Sequence, residues 1–154
     1  MLIGLFWFAF TPLRMEAVDG TTVPKLFATL VGIVFVHELL HMTVHPRAGW
    51  WAHSILGFWP TRLIFYAHFD GTITRNRFLA ILLMPLLIMS ILPLVVAVIT
   101  QFASGWAVFI SITNSLFAAV DILGAVMIVF QVPATAIVRN QGWQTYFRAG
   151  ETVA

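Results

Sequence analysis

The 154-residue sequence contains no cysteine, which excludes both a disulfide framework and any thiolate metal site. Charge is almost as scarce: 9% of residues are Asp, Glu, Lys or Arg, against about 25% in an ordinary soluble domain. The net charge of +2 is small and the basic residues are scattered, so there is no patch for DNA or RNA and no nucleic-acid partner is expected. No low-complexity tract or internal repeat interrupts the chain. Met1 to Leu13 has neither the basic start nor the small-residue cleavage site of a secretory signal. What remains is apolar: 60% of residues are hydrophobic and the mean hydropathy is +0.95. Such a chain is an integral membrane protein of mainly α class. Its length suits one domain over residues 1–154, with three or four transmembrane helices, the lipid bilayer as partner and no room for an appended soluble domain.

The apolar runs locate the spans. Met1 to Leu13 is short of the roughly 20 residues a crossing needs, and reads as a short span, a re-entrant piece or an interfacial helix. Arg14 to Lys25 is a polar connector. Thr22 followed by Pro24 signals a helix start, and the pattern predicts a helix from about Val23 to His45, stopped by Pro46. Arg47 to Arg77 is a longer connection whose Trp50, Trp51, Phe58 and Trp59 favour the membrane–water boundary. Within it, β-forming residues from Leu63 to Phe69 and from Thr72 to Thr74 flank Asp70-Gly71, a hairpin signal. Phe78 to Thr100 forms a second span, with kinks expected at Pro85 and Pro93. A third apolar stretch reaches Val132 and is too long for one simple crossing, so it must tilt, break or begin outside the hydrocarbon. The tail carries a second candidate hairpin around Asn140-Gln141-Gly142. Arg47, Arg62, Arg75 and Arg77 in the long connection, with Arg139 and Arg148 in the tail, assign that side, and any small β-hairpin there, to the cytoplasm.

Within the first long helix stands His37-Glu38-Leu39-Leu40-His41. Residues four apart share a helix face one turn from each other, so both imidazoles can reach a single ion. The carboxylate beside the first His can then take a proton from a water that the ion activates. A lone His on an apolar helix commonly just bonds a neighbour. Three polar groups on one buried turn without a ligand would cost several kcal/mol.

A catalytic zinc site generally has three protein ligands and an open position. His45 is eight residues from His37, about 12 Å along a regular helix, too far to share the ion; it is expected at the membrane boundary or outside the first ring of ligands. Asp121 is the better candidate for the third ligand, the alternative being a protonated carboxyl group bonded to another helix. It is the only acidic residue between Gln101 and Pro133, and no Lys or Arg in that run can neutralise it. Asn114, seven residues earlier on almost the same face, can bind a substrate backbone or steady an oxyanion, or simply bond another helix. His53 and His68 receive no role from the sequence.

With these residues in place the chain resembles the membrane-embedded zincin peptidases, a group similar to the site-2 proteases of intramembrane proteolysis. The likeness rests on His37-Glu38-Leu39-Leu40-His41 in a transmembrane helix and on Asp121 in a later one after Asn114. It rests also on Tyr66-Ala67-His68-Phe69-Asp70-Gly71 leading into Arg77-Phe78 and Pro85. It extends from about Leu26 to Gln131. One departure stands out: where site-2 proteases typically carry Asn-Pro or Leu-Asp-Gly around the acidic ligand, this chain has Ala119-Val120-Asp121-Ile122. The resemblance implies His37, His41 and Asp121 as ligands of Zn2+, Glu38 as catalytic base and a membrane protein or peptide as substrate.

The expected function is therefore that of a zinc-dependent intramembrane endopeptidase, in a bacterial inner membrane with its active site toward the cytoplasm. A hairpin over Leu63–Thr74 could hold the substrate extended by β-augmentation. Rival readings are hydrolysis of another amide or ester, and a metal transporter or sensor using the same His and Asp residues. A haem subunit is disfavoured, because two His on one turn cannot oppose each other across an iron. The substrate and the oligomeric state are not encoded in any motif.

Overall fold

The longest uninterrupted apolar segments become the longest helices. The computed structural model describes residues 2–10, 20–50, 52–62, 64–141 and 144–149. Helix α1 spans Leu2–Phe10 and α2 spans Thr22–Thr43. A continuous helical rod from Arg75 to Thr100 comprises α3 (Arg75–Pro85), a π-helical segment (Leu86–Ile91) and α4 (Leu92–Thr100). Two helices, Thr22–Thr43 and Arg75–Thr100, are long and apolar enough to cross a membrane. The third apolar stretch breaks at Ala118 into α5 (Gly105–Phe117) and α6 (Ala119–Gln131), which count as a third span if taken together. The fold is thus mainly helical, with two helices, or three if that bent pair is one span, long and apolar enough to cross a membrane among the described residues. Parts of the expected N-terminal segment and connector, residues 11–19, lie outside the described residues, as do Trp51 and Leu63.

Along α2 the residues facing outward are apolar: Val23, Phe27, Val31 and Phe35 recur every four positions and are exposed. A face turned to lipid has that composition. The opposite stripe, Ile33, His37 and His41, is buried at the same spacing. After Thr43 the chain turns sharply. Arg47, Ala48 and Gly49 all have positive φ, and a Cβ on Gly49 would lie 2.9 Å from the Met42 carbonyl oxygen, so glycine is required there.

The chain sorts into two compact units. The first comprises Met1–His37 and Pro85–Ala119. Its core is Trp7, Ala97, Ala103 and Val108, packed by Ile3, Leu94 and Ile112. A polar seam runs through it. The Trp7 indole donates to Ser111 Oγ (2.9 Å), and Ser90 and Ser111 each donate a hydroxyl to the other's carbonyl (2.8 Å each). Buried hydroxyls in an apolar setting need such partners.

The second unit comprises Glu38–Met84 and Val120–Ala154. Strands β1 (Ser54–Trp59) and β2 (Ile64–Phe69) form a two-stranded antiparallel sheet, with Leu56 opposite Ala67. Strand β3 (Ile73–Thr74) pairs with β4 (Ile137–Gln141), which pairs with β5 (Gln144–Arg148). The hairpin anticipated in the tail is present as β4–β5. The one anticipated across Asp70-Gly71 is not: β2 pairs backward with β1, and β3 goes to the C-terminal sheet. Only Ile73 and Thr74 remain before α3 begins at Arg75, too few to zip back along β2. Ile73 instead joins Phe69, Phe78, Ile81, Ile128, Val132 and Val138 in the unit's core. Arg139 on β4 holds the turn by pairing with Asp70 at 3.1 Å.

Val138 is fully buried and ties the C-terminal sheet to this core. Replacing it with alanine should cost about 2 kcal/mol and lower the thermal unfolding midpoint. An unchanged midpoint would show that the strands are held by something else.

Candidate metal centre

His37, Glu38 and His41 lie within about one turn of α2, and their potential ligand atoms are all within 4.8 Å of one another. This follows from helix geometry alone. Which nitrogen each ring presents depends on what holds the other side.

His41 is 7% exposed. Its Nδ1 lies 2.7 Å from the carbonyl oxygen of Ile81 on α3. A carbonyl only accepts, so Nδ1 carries the hydrogen and, in the neutral ring, Nε2 keeps its lone pair. That Nε2 lies 3.6 Å from Oδ2 of Asp121, in the first turn of α6. The separation is long for a direct hydrogen bond. It is close to what two ligands of one ion show: donors about 2.0–2.1 Å from a tetrahedral zinc sit about 3.4 Å apart. The donor set therefore fits a zinc-sized cation on His41 and Asp121.

His37 is oriented in the same manner. Its Nδ1 lies 2.9 Å from Oδ1 of Asn114. The other end of that amide, Nδ2, donates to the Pro85 carbonyl at 3.0 Å and to Ser90 Oγ at 2.9 Å. Asn114 is fully buried, and both its amide hydrogens are used inside the protein. The residue anticipated as a substrate contact has no donor left over for one.

Glu38 accepts a hydrogen bond at Oε2 from the backbone N–H of Ala67 in β2, 2.8 Å away. It lines a cavity of about 200 Å³ together with His41, His45, His68 and Asp121. At about 30 Å³ per water, that volume admits several waters or a short piece of backbone.

His45 sits in the wall of this cavity, 3% exposed. Its ring meets Phe69 edge-on at 5.5 Å and shares a hydrogen bond of 3.2 Å with Ser54 Oγ. Burial, then repulsion from His41 and His68, lowers its pKa to about 4. It is therefore neutral at pH 7 and adds no positive charge beside a cation site.

A family described as "Putative zincin peptidase" matches residues 30–137, well over half of the chain. The protein belongs to this family. No curated protein and no solved structure matches the chain. In this zincin peptidase the His37-Glu38-His41 group, with Asp121 beside His41, forms an HExxH-type active site in a membrane-embedded fold.

Three partners escaped the sequence reading: the Ile81 carbonyl, the Ala67 amide and the Ser90 hydroxyl. Two are backbone groups, which every residue carries and no motif marks. Ser90 was visible only as a small polar residue between two prolines.

The neutral state of His45 makes the zincin acid-sensitive. In the unfolded chain this ring takes up a proton below about pH 6.5, whereas in the folded protein it does so only near pH 4. Stability is unaffected above 6.5 and is lost progressively as pH falls through that window. His45→Gln should flatten the fall in thermal midpoint between these two pH values. An equally steep fall in the variant would assign the sensitivity to another group.

Proposed function

We propose that this zincin is a zinc-dependent endopeptidase that cleaves a membrane protein or peptide presented to it as an extended strand. The observation that carries the reading is the His41 Nε2 to Asp121 Oδ2 separation of 3.6 Å, an ion-sized gap between a carboxylate oxygen and a ring nitrogen whose neighbour, Nδ1, is held by the Ile81 carbonyl. His37, His41 and Asp121 are the ligands and Glu38 is the base. Zinc bound there supplies a water of lowered pKa and polarises the scissile carbonyl.

The chain's own residues do the rest. Glu38 accepts the proton of the attacking water and returns it to the departing amine, so the peptide C–N bond breaks as the new C–O bond forms. Neutral His45 keeps the cavity wall from competing with the cation for negative charge. Asn114 acts on His37 rather than on substrate.

Substrate presentation follows from the pairing of β2. Strand β1 occupies one edge, and no strand pairs with the other among the described residues. Ala67 turns its N–H to that free edge, where Glu38 takes it. An extended substrate adding to the edge would take the Ala67 N–H and release Glu38 to its role as base. A transmembrane helix must unwind to be read in this way, because its carbonyls are otherwise engaged.

The arginines at 47, 62, 75, 77, 139 and 148 support a cytoplasmic orientation for the connection and tail, with the site toward that face of a bacterial inner membrane.

Two experiments test this. Glu38→Gln should retain metal at wild-type stoichiometry and lose about 10²–10⁴-fold in turnover of a membrane peptide, whereas Asp121→Ala and His41→Ala should lose the metal itself. If Glu38→Gln alters only metal flux across vesicles, the protein is a transporter and the peptidase reading fails. Ala67→Pro removes the edge donor at a position where the N–H faces away from β1, so the strand should tolerate it. Cleavage should fall about tenfold, mostly through KM, for loss of a bond to a charged or polar partner. Unchanged cleavage would remove the strand-addition step.

A further inference from the structure

We propose that Pro85 is the positioning residue for both histidine ligands, acting on His41 through the hydrogen it lacks and on His37 through the carbonyl it has. The inference rests on the reading of His37 and His41 as metal ligands.

Pro85 lies inside the continuous helical rod at the junction of α3 and the π-helical segment, and is fully buried. In a regular helix the carbonyl of Ile81 would accept from the amide of residue 85. Proline has no such hydrogen, and its ring pushes the carbonyl four residues back away from the helix axis. Ile81 is that residue, and its oxygen accepts from His41 Nδ1 at 2.7 Å instead. The bond leaves Nε2 as the lone-pair nitrogen. It takes the place of the ladder bond that proline forbids, so no buried carbonyl goes unsatisfied.

The second half of the argument concerns an amide that could face either way. The Pro85 carbonyl, 3.0 Å from Asn114, can only accept, so it must meet the NH2 end of that side chain. Ser90 supports the same orientation: its hydroxyl hydrogen goes to the Ser111 carbonyl, so its oxygen is free to accept from Asn114 Nδ2 at 2.9 Å. With NH2 held there, Oδ1 faces His37 and accepts from Nδ1 at 2.9 Å. His37 is thereby placed in the same tautomer as His41, with its lone pair on Nε2. One imino acid thus selects the metal-binding nitrogen of two rings on another helix, with no contact to the metal. Partners of this kind set ring orientation and ligand basicity, and their loss typically costs 10–100-fold in metal affinity.

The test uses full-length protein in detergent or nanodiscs, with 15N-labelled histidine. In the metal-free wild type, both His37 and His41 should show protonated Nδ1 and bare Nε2. Pro85→Ala and the bulkier Pro85→Val both restore an amide hydrogen at position 85. In either variant His41 should shift toward the Nε2–H tautomer, and zinc affinity measured by chelator competition should fall 10–100-fold. Asn114→Leu should move the His37 signal and leave that of His41 in place. A helix-interior proline replaced by a residue with an amide gains a ladder bond, so the fold should survive at least one of the two substitutions. The proposal is overturned if wild-type His41 carries its hydrogen on Nε2. It is equally overturned if both Pro85 variants keep the wild-type tautomers and bind zinc within about twofold of wild type. Wild-type protein with the expected tautomers but no affinity for zinc would sink the metal reading and leave the role of Pro85 in orienting the rings intact.

Discussion

An acidic side chain in an apolar helix can stay ionised only if a cation stands beside it, and the local sequence around Asp121 offers no Lys or Arg to do so. An imidazole nitrogen of His41 stands 3.6 Å from its carboxylate, on a ring whose Nδ1 is engaged by the Ile81 carbonyl on the opposite side. In the neutral ring that nitrogen carries a lone pair, and a lone pair facing a carboxylate across 3.6 Å is repulsive unless a positive charge lies between them. The other features of the centre follow from that requirement. The rings must be oriented, the orienting bonds must come from groups that cannot swap roles, and the surroundings must not supply a competing positive charge. Backbone carbonyls meet the second condition because they accept and never donate. Neutral His45 meets the third.

Membrane burial explains why so few polar atoms here are idle. Trp7, Ser90, Ser111 and Asn114 form one connected seam in the first unit, each donor matched to an acceptor. In water such bonds are worth little beyond their competitors. In an apolar setting, an unmatched group carries its full desolvation penalty, and a connected network therefore holds its geometry. Asn114 and through it His37 are at the end of this seam. In the second unit, rigidity comes from a different source, the apolar cluster around Phe78, Ile81 and Val138 that fixes the carbonyl holding His41. The two rings are held by unlike means to the same chemical end.

Much of the site could be read from periodicity and scarcity. His37, Glu38 and His41 announce themselves because four-residue spacing on a helix is a geometric certainty once the helix is recognised. Asp121 stood out because it was the only acid in its run. The bounds of α2 fell within two residues of the expected ones, since Pro24 and Pro46 act locally. Strand pairing was less legible. Asp70-Gly71 carried a hairpin signal, yet β2 turned to β1 and Ile73 was drawn to Val138. A two-residue turn preference amounts to a few tenths to one kcal/mol, and burial of an isoleucine outweighs it. Asn114 was seen as important, but its partner was not, because an amide can serve a substrate or a neighbour equally well until its surroundings are known.

The sequence by itself determined the membrane setting, the helical class, the two-histidine motif and the acidic residue that needs a cation, because each depends on composition or on spacing within one helix. The tertiary structure alone decided which nitrogen each imidazole presents, that Glu38 meets the edge of β2, and that Asn114 bonds His37. Those outcomes depend on hydrogen bonds between segments as many as 77 positions apart, made in part by backbone atoms that are the same in every residue. Their meaning comes only from what the fold brings against them.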